Sequence, residues 1–138
     1  MAGVHFAFDD FKQLLDLNIG IAQRLDESRA ESFTLLYCDF STVSEGVIKN
    51  SLQQVLRNSD SIVNDKSDYF FVLPYTDKYG AAIVKNMFVE FFARDLDSCM
   101  VSYPRDGEKS EALIEELRDI VNRTYKNDLR CLDSFNPY

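Results

Sequence analysis

Apolar residues first recur at helical spacing: Phe11, Leu14, Leu15, Ile21 (or Ala22) and Leu25, with Asn18 on the same face and a cap at Asp9 or Asp10. The run 33–38 is short and apolar, the pattern of a buried strand, and it ends at Asp39. Val47, Ile48, Ser51, Leu52, Val55 and Leu56 make one face of a second helix. Residues 61–64 and 69–73 are strand-like runs on either side of a polar turn, which predicts a β-hairpin. Pro74 stops the second strand, and Thr76 and Asp77 start a helix whose apolar stripe is Ile83, Val84, Met87, Phe88, Phe91 and Phe92. Residues 98–103 form the next strand, 104–107 a turn, and Ser110 caps a helix carrying Leu113, Ile114, Leu117, Ile120, Val121 and Thr124. A last short strand is expected near 130–132. Helices and strands thus interleave around one hairpin, the pattern of an α/β or split-βαβ sandwich (α+β) with a mixed sheet. The core predicted from these faces includes Leu35, Leu36, Phe71, Leu73, Met87, Phe88, Val101, Leu113 and Leu117.

At 138 residues and 46% apolar, the chain suits one domain, 1–138, with 1–30 as an N-terminal helix of that domain. Cys38, Cys99 and Cys131 lie far apart with no C-x-x-C pair, which indicates neither a disulfide framework nor a zinc site. Buried thiols of this kind suit a reducing cytoplasm. The N-terminus lacks the basic region and apolar run of a signal peptide, and no stretch reaches membrane-spanning length. A net charge of −8 argues against broad nucleic-acid or anionic-membrane binding. It leaves room for one small anionic ligand, because distant carboxylates are screened. His5 is the one histidine, in an N-terminus expected to be unanchored, so no catalytic triad or metal cluster is read around it.

From 6 to 127 the chain resembles a GGDEF domain, the diguanylate cyclase family, in degenerate form. Leu35-Leu36-Tyr37-Cys38-Asp39 is similar to the strand that ends in that family's first metal-binding aspartate. Asn64-Asp65-Lys66-Ser67-Asp68-Tyr69-Phe70 resembles the Arg-Tyr-Gly-Gly-Asp-Glu-Phe signature, of which Asp68 and Phe70 survive. Residues 98–107 resemble the next strand and turn, and 111–126 the terminal helix, with Lys126 where a phosphate-contacting lysine lies. The resemblance implies a five-stranded mixed, mostly antiparallel sheet flanked by helices, with 61–73 as a central hairpin.

Against that pattern, Lys66 and Ser67 place side chains where close approach to a substrate needs glycine. Tyr69 replaces the second acid, and a phenol is a poor magnesium ligand beside a carboxylate. The segment after Asp39 runs through 40–46 straight into a helix, so part of the substrate wall is missing. Phosphoryl transfer depends on positioning and metal charge neutralisation, so no catalytic residues and no cofactor are expected. Asp39 and Asp68 remain, either as a residual Mg²⁺ site or as two solvated strand-end aspartates. Arg57-Asn58-Ser59-Asp60 matches the family's inhibitory Arg-x-x-Asp site for cyclic di-GMP. There arginine would form a fork on guanine or phosphate and aspartate would accept from guanine N1 and N2. The same two residues also read as a helix-end cation and a hairpin start. Lys126 reads either as a phosphate contact or as an exposed helix-end lysine.

Three functions follow. One is a catalytically inactive regulatory domain that senses cyclic di-GMP through Arg57 and Asp60. Another is a protein–protein interaction module with the same fold and no nucleotide. The third is an active cyclase. A protein partner of unstated identity is expected under the first two readings, and a homodimer is left open.

Overall fold

The computed structural model describes residues 3–25 and 30–135. Its strands are β1 (Val4–His5), β2 (Glu31–Asp39), β3 (Ser61–Asp65), β4 (Asp68–Pro74) and β5 (Ser98–Pro104). Its helices are α1 (Phe11–Arg24), α2 (Glu45–Val55), α3 (Lys78–Phe92) and α4 (Ser110–Tyr125). The sheet order is β1-β3-β4-β2-β5, with β1 parallel to β3 and the other pairs antiparallel. This is the mixed α+β sheet that the sequence pattern predicts.

The long central strands are buried on both faces, which explains their unbroken apolar runs. Strand alternation sorts them into two cores. Leu35, Tyr37, Phe70, Val72 and Val101 point to the face covered by α1 and α4. Leu36, Cys38, Phe40, Phe71 and Leu73 point to the face covered by α2 and α3.

Several expectations need correction. The fifth strand is β1 at the N-terminus, not a strand near 130–132. Arg130–Phe135 is a 3-10 helix instead, because Leu129 and Leu132 turn inward at a three-residue spacing. The expected helix over 1–30 occupies Phe11–Arg24, preceded by a 3-10 turn at Phe8–Asp10; positions 1, 2 and 26–29 lie outside the described residues. Nor is the N-terminus unanchored: the amides of Val4 and Phe6 donate to the carbonyls of Asp60 and Ile62 at 2.9 and 2.8 Å. On α1, Ala22 rather than Ile21 packs on the core, and Leu25 is exposed.

Helix α3 departs most. Its buried line is Ala81, Phe88 and Phe92, whereas Ile83, Met87 and Phe91 face outward. A segment apolar nearly all round has no single stripe for periodicity to select. Asp77 caps it as expected, Oδ1 accepting from the Gly80 amide at 2.8 Å. Ser110 caps nothing; it is the first residue of α4, with a buried hydroxyl that finds no partner among the described residues.

Candidate functional site

The β3–β4 hairpin closes at the Asp65–Asp68 pair through the two-residue turn Lys66–Ser67. Lys66 has φ 54°, a left-handed backbone that glycine or asparagine adopts at lower cost. Two bonds hold it there. Asn64 Nδ2 donates to the Lys66 carbonyl at 2.8 Å, and the Phe40 amide donates to the Ser67 carbonyl at 2.9 Å. Because Asn64 Nδ2 is so used, its Oδ1 must accept, and the proton of the 2.7 Å contact to His5 sits on His5 Nε2.

Between this turn, the start of α2 and β1 lies a cleft of about 560 Å³. Lys49, Lys66, Glu45 and His5 stand at its rim, and Tyr69, Val43 and Ile48 line it over Phe40. The Phe40 and Tyr69 rings pack with centroids 4.9 Å apart. Burial, with a smaller push from Glu45, raises the Tyr69 pKa, so the phenol keeps its proton at neutral pH.

Asp39 and Asp68 are register partners on neighbouring strands, so the structure does bring the two carboxylates together. They lie on the wrong face for the cleft. Tyr37, on the α1/α4 side, donates its hydroxyl to Asp68 Oδ1 at 2.7 Å, and Asp39 shares that side by pairing. The pair that faces the α2/α3 side is Cys38 with Tyr69. Asp39 Oδ1 is also taken, by the Ser41 amide at 2.9 Å. Burial raises the Asp68 pKa against the lowering effect of the Tyr37 bond, and Asp39 and Asp65 raise it further. Burial likewise pushes the Cys38 thiol far up, so it is no thiolate ligand. Among the described residues no three His, Cys, Asp or Glu side chains gather as a metal site. The residues present do not fit a magnesium ion bridging to a substrate in the cleft.

Arg57 and Asp60 are also brought together, but they hold each other. Asp60 is 1% exposed and accepts from the Arg57 amide at 2.8 Å and from Arg57 Nη2 at 2.9 Å. The same Nη2 reaches the Pro74 carbonyl and Thr76 Oγ1, both at 3.0 Å. The pair pins the end of α2 to the end of β4, although the arginine side chain stays 55% exposed. Lys126 is remote in role: it ends α4 in a left-handed conformation (φ 59°), on the sheet face away from the cleft.

Sequence reasoning missed His5, Asn64 and Lys49 as cleft residues. His5 needed the unpredicted β1, and Lys49 is one of several exposed positions on α2. Strand alternation could have flagged Tyr69: it shares a parity with Phe71 and Leu73, and Asp68 does not.

No protein-family model matches the chain, and no characterised protein matches it in sequence. Among solved structures it is similar to a sensory box/GGDEF family protein from Caulobacter crescentus CB15, with TM-score 0.63 and 15% identity over 88% of this chain and 93% of that one. Among the described residues, no helix is long and apolar enough to cross a membrane. The likeness is one of architecture: this chain has a GGDEF-like fold, a mixed five-stranded sheet flanked by helices.

Proposed function

We propose that this chain is a catalytically silent GGDEF-like regulatory domain that acts by binding rather than by nucleotide cyclisation. One observation carries the reading. On the sheet face that lines the cleft, Cys38 stands opposite Tyr69, while the two aspartates lie on the other face in bonds of their own. Phosphoryl transfer needs metal-held charge neutralisation beside the substrate. Metal clamping is worth several kcal/mol, and each ~1.4 kcal/mol is tenfold in rate. The neighbour's description as a sensory box/GGDEF family protein is in keeping with a regulatory role. A cytoplasmic setting and a protein partner belong to the same reading.

Sensing of cyclic di-GMP through Arg57 is the second reading, favoured by the exposed flank of that side chain. Asp60 weakens it, since its carboxylate is buried and already accepts two bonds from Arg57. GTP incubated with the protein and Mg²⁺ or Mn²⁺ should yield no cyclic di-GMP by chromatography. Turnover at roughly 1 per second, within the ordinary enzyme range, would sink the silent-domain reading. Calorimetric titration with cyclic di-GMP should give no heat of binding at micromolar ligand. Arg57→Ala should lower stability by about 1–3 kcal/mol, the cost of stripping a buried acceptor. Micromolar binding that Arg57→Ala abolishes would establish the sensor instead.

A further inference from the structure

The cleft beside the hairpin turn has a composition at odds with the rest of the molecule. The chain carries −8 overall, yet the rim of this cleft holds Lys49 and Lys66 against a single carboxylate, Glu45. Neither ammonium is in an ion pair among the described residues. Below the rim the wall turns apolar and aromatic, through Val43, Ile48 and the Phe40–Tyr69 pair, whose ring planes are tilted by 34°. A volume of about 560 Å³ is that of a site for a small organic molecule. Two polar side chains beside the lysines are held in place by hydrogen bonds. The Asn64 side chain locks the Lys66 turn and orients His5, whose Nε2 proton is committed to Asn64 Oδ1.

We propose that this cleft binds a small aromatic anion, its charged group between Lys49 and Lys66 and its ring against Tyr69, with no metal ion. The site gives the regulatory domain a ligand and rests on that reading. The two remain separable, because turnover of GTP bears on one and occupancy of the cleft by a non-nucleotide on the other. Flat rings stack on an aromatic wall without needing a particular hydrogen-bond pattern. The two ammoniums supply the charge selection. Lys66 would also do here what glycine could not: its left-handed backbone sets the ammonium-bearing side chain at the mouth of the cleft.

The test is a titration of ¹⁵N-labelled protein with 1-naphthoate, followed by amide chemical shifts. Neutral 1-naphthalenemethanol and inorganic phosphate alone serve as the other arms. Naphthoate should move amides at Lys49, Asn64, Lys66 and Tyr69 and bind more tightly than either other probe. Lys49→Gln with Lys66→Asn should weaken it by at least about tenfold, the scale of one charge-assisted hydrogen bond. Asparagine tolerates the left-handed backbone, so the turn survives, as an unchanged circular dichroism spectrum would show. Any of four results would overturn the proposal: no shifts at millimolar naphthoate, equal binding of the neutral alcohol, phosphate alone binding as well, or shifts confined to the exposed α3 face at Tyr79, Met87 and Phe91.

Discussion

Asp68 has a single strong partner, the Tyr37 hydroxyl, and two carboxylate neighbours, Asp39 and Asp65. Burial and those neighbours raise its pKa above the ordinary aspartate value, against the lowering effect of the Tyr37 bond. A carboxylate with a raised folded-state pKa binds its proton more tightly folded than unfolded. Stability therefore falls as pH rises from the unfolded pKa through the folded one, and the charged form is a cost at neutral pH. Asp68→Asn keeps an oxygen for Tyr37 and removes the charge. Its melting temperature should exceed that of the parent at pH 7, and the gain should vanish at a pH below both pKa values. A lower melting temperature at pH 7 would mean the negative charge is wanted there, as it would be beside a bound cation. Lys66 and Tyr69 follow the same logic of place. Neither is unusual as a residue type, and each acquires meaning from the cleft at which the fold sets it.

At the scale of elements, α3 and α4 differ in how plainly they declare their buried faces. Helix α4 alternates charged positions with Leu113, Ile114, Leu117 and Val121, all at most 1% exposed. Helix α3 is apolar on several sides, and the sheet and α2 choose which line is covered. Leu117→Ala and Phe88→Ala should each cost about 2–5 kcal/mol, as deletions from a packed core. Met87→Ala, at a position 41% exposed, should stay within about 0.5 kcal/mol. Urea unfolding of the three variants distinguishes the faces. A loss at Met87 as large as at Phe88 would mean that α3 is covered on its outer side as well.

The whole molecule is a sheet between two separate cores, one under α1 and α4 and one under α2 and α3. The candidate cleft belongs to the second, and the buried Tyr37–Asp68 pair to the first. Packed groups on opposite faces share no partners, so their energies should add. Ile114→Val and Ile48→Val, one per face, should each cost about 0.5–1.5 kcal/mol. The double variant should equal their total to within about 0.5 kcal/mol. A larger coupling, read from the same unfolding curves, would show that the faces communicate through the sheet.

Much of this architecture was legible along the chain. The apolar runs at β2 and β4, the polar turn between β3 and β4, the Asp77 cap and the α4 stripe are local signals, set by side-chain periodicity and backbone preference over a few residues. They sufficed for the order of elements from α1 to α4 and for most of the core. What they could not carry is anything set by pairing between distant segments. Two residues at the N-terminus became the fifth strand because β3 had an open edge, and no local pattern marks so short a strand. Asp39 and Asp68 were visible as strand-end carboxylates, but the register that joins them and the face they share exist only in the assembled sheet. Arg57 and Asp60 were visible as a motif, and only tertiary structure showed Asp60 buried, with Arg57 bonded to the end of β4. The cleft itself gathers His5, Lys49 and Lys66 from three elements; sequence determines the charges, and folding alone decides that they meet.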